Sequence, residues 1–195
     1  MGDPKKPKKK FKTPSHPWQK IRLDEEKILV TEFGLKNKRE LWKMGAKLRD
    51  YKRRAKKYIS DNSERMVQEK EIMLKKLTEL GILVEGGRLD DVLGLSLRDV
   101  LNRRLQTIVF KKGMSSSISQ ARQFITHRHI DVNSVRMTSP SYLVNKKEEE
   151  TITFVQSSSL ANEEHPERVV ANKLKEKEEQ KAGSAVVDSE SEGKK

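Results

Sequence analysis

The sequence predicts an α+β protein in which an N-terminal helical domain precedes a small domain of two helices packed on a short, mostly antiparallel sheet. Apolar residues that recur every three or four positions, bracketed by helix-starting and helix-ending residues, predict the helices. Apolar and polar residues that alternate after position 130 predict short strands. A basic N-terminal arm and a charged C-terminal tail are both predicted to be disordered, because neither has enough apolar residues for a core.

Residues 1–22 form the predicted arm, which carries eight Lys and Arg residues against one acidic residue, Asp3. Its four prolines favour an extended chain, because proline lacks the N–H group that a helix interior needs. The rings of Phe11, His16 and Trp18 lie among the lysines and could stack on unpaired bases. The alternatives are a solubilising tail, a localisation signal, or an arm that Trp18 anchors to the folded body.

Residues 23–94 form the predicted helical domain. We expect its first helix to start at Asp24, a good N-cap, and to end at Gly34. The third helix is predicted from about Ser63 to Leu80, before Gly81. The long second helix between them carries one apolar seam, made of Leu41, Met44, Leu48, Tyr51, Ala55 and Tyr58.

The other faces of the second helix carry cations almost alone, whereas ordinary solvated helices mix both signs. We therefore interpret Lys43, Lys47, Arg53, Arg54 and Lys57 as candidate contacts for RNA phosphates. After the third helix, the pair Gly86-Gly87 predicts a hinge or a close backbone contact, and Asp90 and Asp91 are placed in a linker.

Residues 95–156 form the second predicted domain. Ser96 and Asp99 fit a capping box that starts a helix ending at Gly113, and Ser117 with Gln120 starts another that ends near Thr126. Apolar residues that alternate with polar ones predict the strands: Ile130 with Val132, Val135 with Met137, Tyr142 with Val144, and Ile152 with Phe154. Glu148 to Glu150 are placed in a turn.

Cations dominate the two predicted helices and the hairpin that follows, with no acidic residue between Asp99 and Asp131. Any single cation could lie on a solvated face with its apolar stem covering the core, but so many like charges repel one another unless a polyanion neutralises them. Arg104 is predicted to project onto the apolar side of its own helix. The cluster, which predicts a nucleic-acid surface, comprises Arg103, Arg104, Lys111, Lys112, Arg122, His127, Arg128, His129 and Arg136.

The composition also limits the classes of function that the chain can have. A net charge of +13 favours an anionic partner, and neither a membrane-spanning run nor a signal peptide is recognised. The absence of cysteine fits a cytoplasmic protein, and four scattered histidines do not indicate a metal site. Since no catalytic constellation, phosphate loop or dinucleotide fingerprint is present, we predict a binding protein and not an enzyme, without a cofactor.

Several short motifs of the second domain keep a characteristic order and spacing: Arg103-Arg104-Leu105-Gln106, Gly113, Gln120-Ala121-Arg122-Gln123, His127, Val132-Asn133 and Pro140-Ser141-Tyr142. They resemble the RNA-binding domain named after ribosomal small-subunit protein S four. The form is similar to the archaeal and eukaryotic branch of that family, because the bacterial branch usually has an acidic residue at the position of Gln106. Ser134 departs from the glycine common in the hairpin turn, which leaves the turn type open.

The resemblance implies a structural protein of the small ribosomal subunit that binds and organises small-subunit rRNA. It further implies early binding in assembly, a position near the mRNA entry path, contact with ribosomal protein S five, and an influence on translational accuracy. Neither a membrane nor a small-molecule substrate is expected. The candidate RNA-binding residues are Arg103, Arg104, Lys111, Lys112, Ser117, Gln120, Arg122, Gln123, His127, Arg128, His129, Arg136, Lys43, Lys47, Arg53, Arg54 and Lys57.

Two other functions use the same features. A free-standing RNA chaperone or ribosome rescue factor could carry the same domain and act on displaced RNA. A duplex-DNA binder would need base-reading residues on a recognition helix, whereas the exposed faces here offer mainly phosphate-binding cations. The remaining residues, 157–195, are nearly balanced in charge and are predicted to be mostly disordered.

Overall fold

The computed structural model describes residues 9–61, 63–162 and 164–170. They form two compact units. The first comprises the described residues up to Arg104 together with Leu143–Lys146, and the second comprises Leu105–Tyr142 together with the described residues from Lys147 onward. The start of the predicted arm, residues 1–8, and the predicted tail beyond residue 170 lie outside the described residues.

Helix α1 (Lys20–Glu32) begins one turn earlier than predicted, so Asp24 lies exposed inside the helix and is not its N-cap. The guanidinium of Arg22 donates to two backbone carbonyls of the arm, both at 2.9 Å, and the N–H of Leu23 already bonds to a carbonyl four residues back. These contacts hold the chain before Asp24 in helical register. Gly34, with a φ of +54°, ends the helix as predicted.

Helix α2 (Lys38–Ser60) carries the predicted seam. Five of the six seam residues are buried, and the sixth, Tyr51, is half-buried. Helices α3 (Glu64–Glu79), α4 (Leu89–Gly94) and α5 (Leu97–Asn102) pack around α2, as does α1. The core of the first unit is therefore centred on α2, and the predicted helical domain has its expected hydrophobic interior.

In the glycine pair after α3, Gly87 makes a close contact that leaves no room for a side chain, as predicted. A Cβ atom on Gly87 would lie 2.6 Å from the Cγ atom of Leu83, which is closer than real carbon atoms approach. The predicted linker at Asp90 and Asp91 is wrong, because both residues lie in the first turn of α4. The Asp91 carboxylate accepts a hydrogen bond from the backbone N–H of Arg88 at 2.7 Å, so Asp91 helps to cap the start of α4.

The single helix predicted at the start of the second domain is two helices, α5 and α6 (Leu105–Lys111). The chain leaves helical geometry at Arg103 and Arg104. There the carbonyl of Arg103 accepts the N–H of Val144 at 3.0 Å, and Arg104 pairs with Leu143 in an isolated β-bridge. Backbone bonds to a distant segment thus replace the local bonds that would have continued the helix. The capping box of Ser96 and Asp99 is confirmed.

The second unit combines α6 and α7 (Ile118–Thr126) with a small antiparallel sheet in the order β2-β1-β3. Its strands are β1 (Ile130–Val132), β2 (Val135–Arg136) and β3 (Thr153–Phe154). Asn133 and Ser134 connect β1 to β2 with φ values of +50° and +63°. Positive φ at both central positions is typical of a type I′ hairpin turn, so Ser134 takes a conformation for which glycine is the usual residue.

Three local predictions for this region are wrong. Tyr142 and Val144 do not form a strand of the sheet, because the N–H of Val144 bonds to Arg103 instead. The predicted turn at Glu148 to Glu150 belongs to a short helix, α8 (Lys146–Glu150). Leu160, which the sequence places in a tail without a core, is buried at 5% exposure beside a 3₁₀ turn.

Candidate nucleic-acid interface

Arg104 is not on the surface of the molecule. Its side chain is 1% exposed, and its guanidinium lies 2.7 Å from the carboxylate of Glu40 near the start of α2. Arg103 is half-buried and donates from its guanidinium to the carbonyl of Val144 at 3.1 Å. Arg104 therefore supports the interior of the first unit, and Arg103 shares its guanidinium with the backbone. An exposed basic surface has to be built from other cations.

Ser117 and Gln120 organise the start of α7. The hydroxyl of Ser117 accepts the N–H of Gln120 at 3.2 Å, which confirms the predicted N-cap. The side-chain oxygen of Gln120 accepts the N–H of Ser116, not that of the N-cap residue, and its amide group donates to Glu167. Both predicted site residues thus hold local structure, and Ser117 remains exposed.

A fully buried amide positions Arg122. The amide nitrogen of Gln106 donates to the carbonyl of Ile118 at 3.0 Å, and its oxygen accepts from the Arg122 guanidinium at 3.2 Å. Since Gln106 is 0% exposed and bonded on both sides, it fixes the orientation of a cation that is itself only half-buried. Gln123, the next residue on α7, is exposed.

The end of α7 and the hairpin bring four predicted site residues together, which we call the His–Arg cluster: His127, Arg128, His129 and Arg136. The rings of His127 and His129 are stacked, with centroids 6.4 Å apart and planes 13° apart. Neighbouring serines hold the other half of the cluster, because Ser157 accepts from Arg136 at 3.1 Å and Ser158 contacts His129 at 2.8 Å.

The His–Arg cluster combines exposed charge with an exposed ring. Arg128 and Arg136 are exposed, and Arg128 has a φ of +65° that turns the chain sharply after α7. His127 is exposed, whereas His129 is half-buried. Guanidinium groups beside a flat accessible ring can bind a phosphate and stack on an unpaired base at the same time.

Lys111 and Lys112 lie elsewhere in the second unit. They are at the end of α6, just before α7, whereas the His–Arg cluster follows α7. Helix α7, nine residues and roughly 14 Å long at about 1.5 Å per residue, lies between the two sites in the chain. Lys111 is exposed and Lys112 is half-buried, so this pair is a separate basic position.

The predicted cations of α2 are all exposed. Lys43, Lys47, Arg54 and Lys57 follow one another at spacings that place them on one side of the helix, which we call the α2 basic face. Arg53 lies beside this face and is paired with Asp50 at 2.9 Å. The structure therefore brings four of the five predicted α2 residues into one surface.

Lys47, on the α2 basic face, lies near positive charges from other parts of the first unit. Partial burial lowers the pKa of Lys47 below its ordinary value, and the nearby charges of Lys10, Lys76 and Arg104 lower it further. Each of these effects disfavours a charged ammonium group in the free protein. A bound anion would have the opposite effect and would stabilise the protonated lysine.

The sequence prediction missed the way in which the arm joins this surface. Lys9, Lys10, Lys12 and Arg49 line a groove of about 310 Å³, together with Phe11, Ala46, Asp50 and Arg53. The ring of Phe11 lies 6.1 Å from that of Trp42 on α2, whereas Trp18 is 90% exposed. Phe11, and not Trp18, therefore anchors the arm. The lysines of the arm were visible in the sequence, but their position against Arg49 was not.

Neither a membrane-spanning helix nor a metal-binding group is found in the part of the chain that the structure describes. No helix there is long and apolar enough to cross a membrane. Among the same residues, no group of three or more His, Asp or Glu side chains is placed to hold a metal ion.

Comparisons with known proteins agree with the motifs of the second domain. The family described as "S4 domain" matches residues 103–150. The chain is 50% identical over 158 residues to "Small ribosomal subunit protein uS4" of Ignicoccus hospitalis. The matched region covers 81% of this chain and 95% of that protein.

Two further relatives carry the same name. The uS4 protein of Methanococcus maripaludis strain C7 is 48% identical over 172 residues, covering 88% of this chain and 97% of the relative. The uS4 protein of Methanococcus aeolicus is 47% identical over 169 residues, and the matched region covers 86% of this chain and 96% of that relative. Identity of this order over nearly the whole length of each relative confirms the resemblance drawn from the motifs. The chain belongs to the uS4 family of small ribosomal subunit proteins, which are structural proteins and not enzymes.

Proposed function

We propose that this chain binds small-subunit rRNA through two basic surfaces, one on each unit, and thereby contacts two segments of the RNA. The α2 basic face with the arm groove is one surface, and the His–Arg cluster with Arg122 is the other. The observation that carries the proposal is that Lys43, Lys47, Arg54 and Lys57 are exposed on one side of α2, while Lys9, Lys10 and Lys12 of the arm line a groove beside Arg49 of the same helix. Such a gathering of cations is unfavourable in the free protein and favourable against a polyanion.

The α2 basic face recognises the sugar–phosphate backbone. Its four cations lie along three to four turns of one helix, and the lysines of the arm widen the surface on the side of Arg49. Such contacts displace the counterions condensed on RNA, so much of the affinity comes from counterion release and weakens with salt. Specificity on this surface comes from the shape of the RNA, because lysine and arginine side chains on phosphates do not read the base edges.

The His–Arg cluster recognises a less regular part of the RNA. The exposed ring of His127, backed by His129, provides a flat surface for one unpaired base. Arg128 and Arg136 bind the phosphates on either side of that base, and Gln106 keeps Arg122 in a fixed orientation nearby on α7. A loop or bulge in the RNA fits this arrangement better than a regular duplex.

The finer roles that the resemblance implies are part of the same proposal. These are binding early in assembly of the subunit, a position near the mRNA entry path, contact with ribosomal protein S five, and an influence on translational accuracy. The division into an arm at 1–22, a helical rRNA-binding domain at 23–94, an S4-type domain at 95–156 and a tail at 157–195 is proposed as the functional layout. Relatives named as small ribosomal subunit proteins support a place in that subunit, and the finer roles rest on the family resemblance.

A matched pair of charge-reversal variants tests the two-surface proposal. The triple variant Lys43→Glu, Lys47→Glu and Arg54→Glu reverses three of the four charges of the α2 basic face, while Lys27→Glu, Lys36→Glu and Lys75→Glu makes the same charge change at exposed positions elsewhere. We expect the first variant to bind small-subunit rRNA far more weakly than the second. Its slope of log affinity against log salt should also fall by about 0.7 to 0.9 for each phosphate that the variant no longer binds. Equal weakening in both variants would contradict a defined surface.

Sedimentation separates the ribosomal function from that of a free RNA chaperone. We expect the chain to migrate with small subunits in near-stoichiometric amounts and to remain there after a high-salt wash. A chain found mostly free, or removed by salt and present in trace amounts, would support the chaperone or rescue function instead.

A further inference from the structure

Helix α1 differs from the rest of the molecule in what it presents to solvent. Its inner side carries Glu26, which is 7% exposed. Half a turn away, its outer side carries large apolar residues beside carboxylates. We call this side the α1 outer face; it comprises Trp18 just before the helix and Ile21, Asp24, Glu25, Ile28 and Glu32 within it.

The apolar part of the α1 outer face is unusually accessible. Trp18, Ile21 and Ile28 are 90%, 71% and 59% exposed. Single exposed apolar residues are ordinary on protein surfaces, but Ile21 and Ile28 lie two helical turns apart on one side of α1, and Trp18 lies in the turn just before the helix. Exposed tryptophan beside aliphatic residues is typical of the centre of a protein–protein interface.

The carboxylates of the α1 outer face favour a protein over RNA as its occupant. Asp24, Glu25 and Glu32 lie on or beside it, in a chain whose net charge is +13. Glu32 is paired with Arg98 at 3.0 Å, and Lys27 lines a shallow groove together with Asp24, Ile28 and Glu32, so Asp24 and Glu25 are the carboxylates that remain for a partner. Carboxylates repel phosphates, and the row of cations that marks α2 has no counterpart along this line. A positively charged protein is attracted by the same feature.

The α1 outer face is also held in place from behind. The carboxylate of Glu26 accepts from Arg22 at 2.9 Å and from the indole N–H of Trp42 at 3.0 Å, and Lys38 lies 3.2 Å from its other oxygen. This network fastens α1 to the start of α2 within the first unit. A surface that is fixed before binding loses less conformational entropy when a partner docks.

We propose that the α1 outer face docks a lysine- and arginine-rich segment of another protein, which covers Trp18, Ile21 and Ile28 with apolar side chains and pairs its cations with Asp24 and Glu25. This inference goes beyond RNA binding, because it assigns a protein partner to a surface outside the two proposed RNA-binding surfaces. Its test in assembled particles rests on the proposed incorporation into small subunits. Sedimentation measures that incorporation separately from docking.

Site-specific photocross-linking identifies the occupant. Ile28 is replaced by the photoreactive residue p-benzoyl-phenylalanine, small subunits containing the variant are purified by sedimentation, and the cross-linked material is analysed by mass spectrometry. We expect one protein peptide with an excess of Lys and Arg and at least one large apolar residue. The same probe at Ile72, which is 66% exposed on α3, is the matched control and should not capture that peptide. Adducts to RNA, to a second copy or to the chain's own tail would overturn the proposal, as would no adduct.

A charge-reversal pair then tests whether electrostatics hold the partner. Asp24→Lys with Glu25→Lys in the probe-bearing chain should lower the yield of the cross-link roughly tenfold, because attraction becomes repulsion at two positions. Glu64→Lys with Glu71→Lys makes the same charge change at exposed positions of α3 and should leave the yield unchanged. If both pairs lower the yield equally while sedimentation stays normal, the α1 outer face does not select its partner by charge and the proposal fails.

Discussion

Glu40 and Arg104 stand 64 positions apart in the sequence, yet their side chains meet at 2.7 Å inside the first unit. The pair joins the start of α2 to the point at which the chain leaves α5. Because the guanidinium is 1% exposed, the charge that motif spacing assigns to an RNA surface is used to hold the protein together.

The first prediction concerns this pair. Glu40→Ala leaves the buried guanidinium without its carboxylate, so the free energy of unfolding should fall by roughly 3 to 5 kcal/mol. Replacing both residues with Leu at position 40 and Met at position 104 removes the unpaired charge and should recover most of that stability. Urea denaturation measures both variants. A double variant as unstable as Glu40→Ala would show that the packing, and not the uncompensated charge, is responsible.

The second prediction concerns Lys47. Its pKa is lowered in the fold, so the unfolded chain binds more protons and the stability contributed by this site rises as pH increases towards the ordinary lysine pKa. Lys47→Gln removes the crowded charge and should raise the urea midpoint at pH 7 while weakening rRNA binding. Arg54→Gln, which removes one exposed positive charge from the same face, is the control. Equal midpoint shifts in the two variants would contradict crowding at Lys47.

The third prediction concerns the close contact of Gly87. Gly87→Ala places a methyl group against the buried side chain of Leu83, and overpacking of this kind should lower the free energy of unfolding by about 1 to 3 kcal/mol. Gly94→Ala is a matched control, because nothing lies within 4 Å of its added methyl group. Thermal denaturation should leave that control unchanged or slightly stabilised. Two similar melting temperatures would mean that the Leu83 side chain can move aside.

The fourth prediction separates stacking from charge in the His–Arg cluster. His127→Ala should weaken binding to rRNA about five- to tenfold, whereas His127→Phe should keep most of the affinity because the flat ring remains. His127 is exposed, so circular dichroism should show an unchanged fold in both variants. Equal weakening by Ala and Phe would indicate that a hydrogen bond or charge of the imidazole, and not its face, contacts the RNA.

Local periodicity predicted the parts of the fold that depend on local interactions. The α2 seam, the caps at Ser96 and Ser117 and the stop at Gly34 were all predicted, because each depends on residues within about two turns of one another. The type I′ turn at Ser134 was left open, since serine does not specify positive φ.

Distant contacts explain what sequence reasoning missed. The break after α5 arises from a segment some 40 positions further on, and the partner of Arg104 lies on α2. The early start of α1 depends on Arg22 reaching the backbone of the arm. Likewise, the arm groove exists because Phe11 reaches Trp42. Composition and spacing revealed the cations but could not show which of them are buried and which share a surface.

The division of the chain also constrains the order in which its parts can be finished. The first unit includes Leu143–Lys146, so a nascent chain that has emerged only as far as Arg104 lacks the segment that bonds to Arg103 and Arg104. At about 5 to 20 residues per second, the intervening stretch delays that segment by roughly 2 to 8 s. During this interval α2 has already been synthesised, but the segment that bonds to Arg103 and Arg104 is absent. Synthesis of the second unit is therefore a step in completing the first.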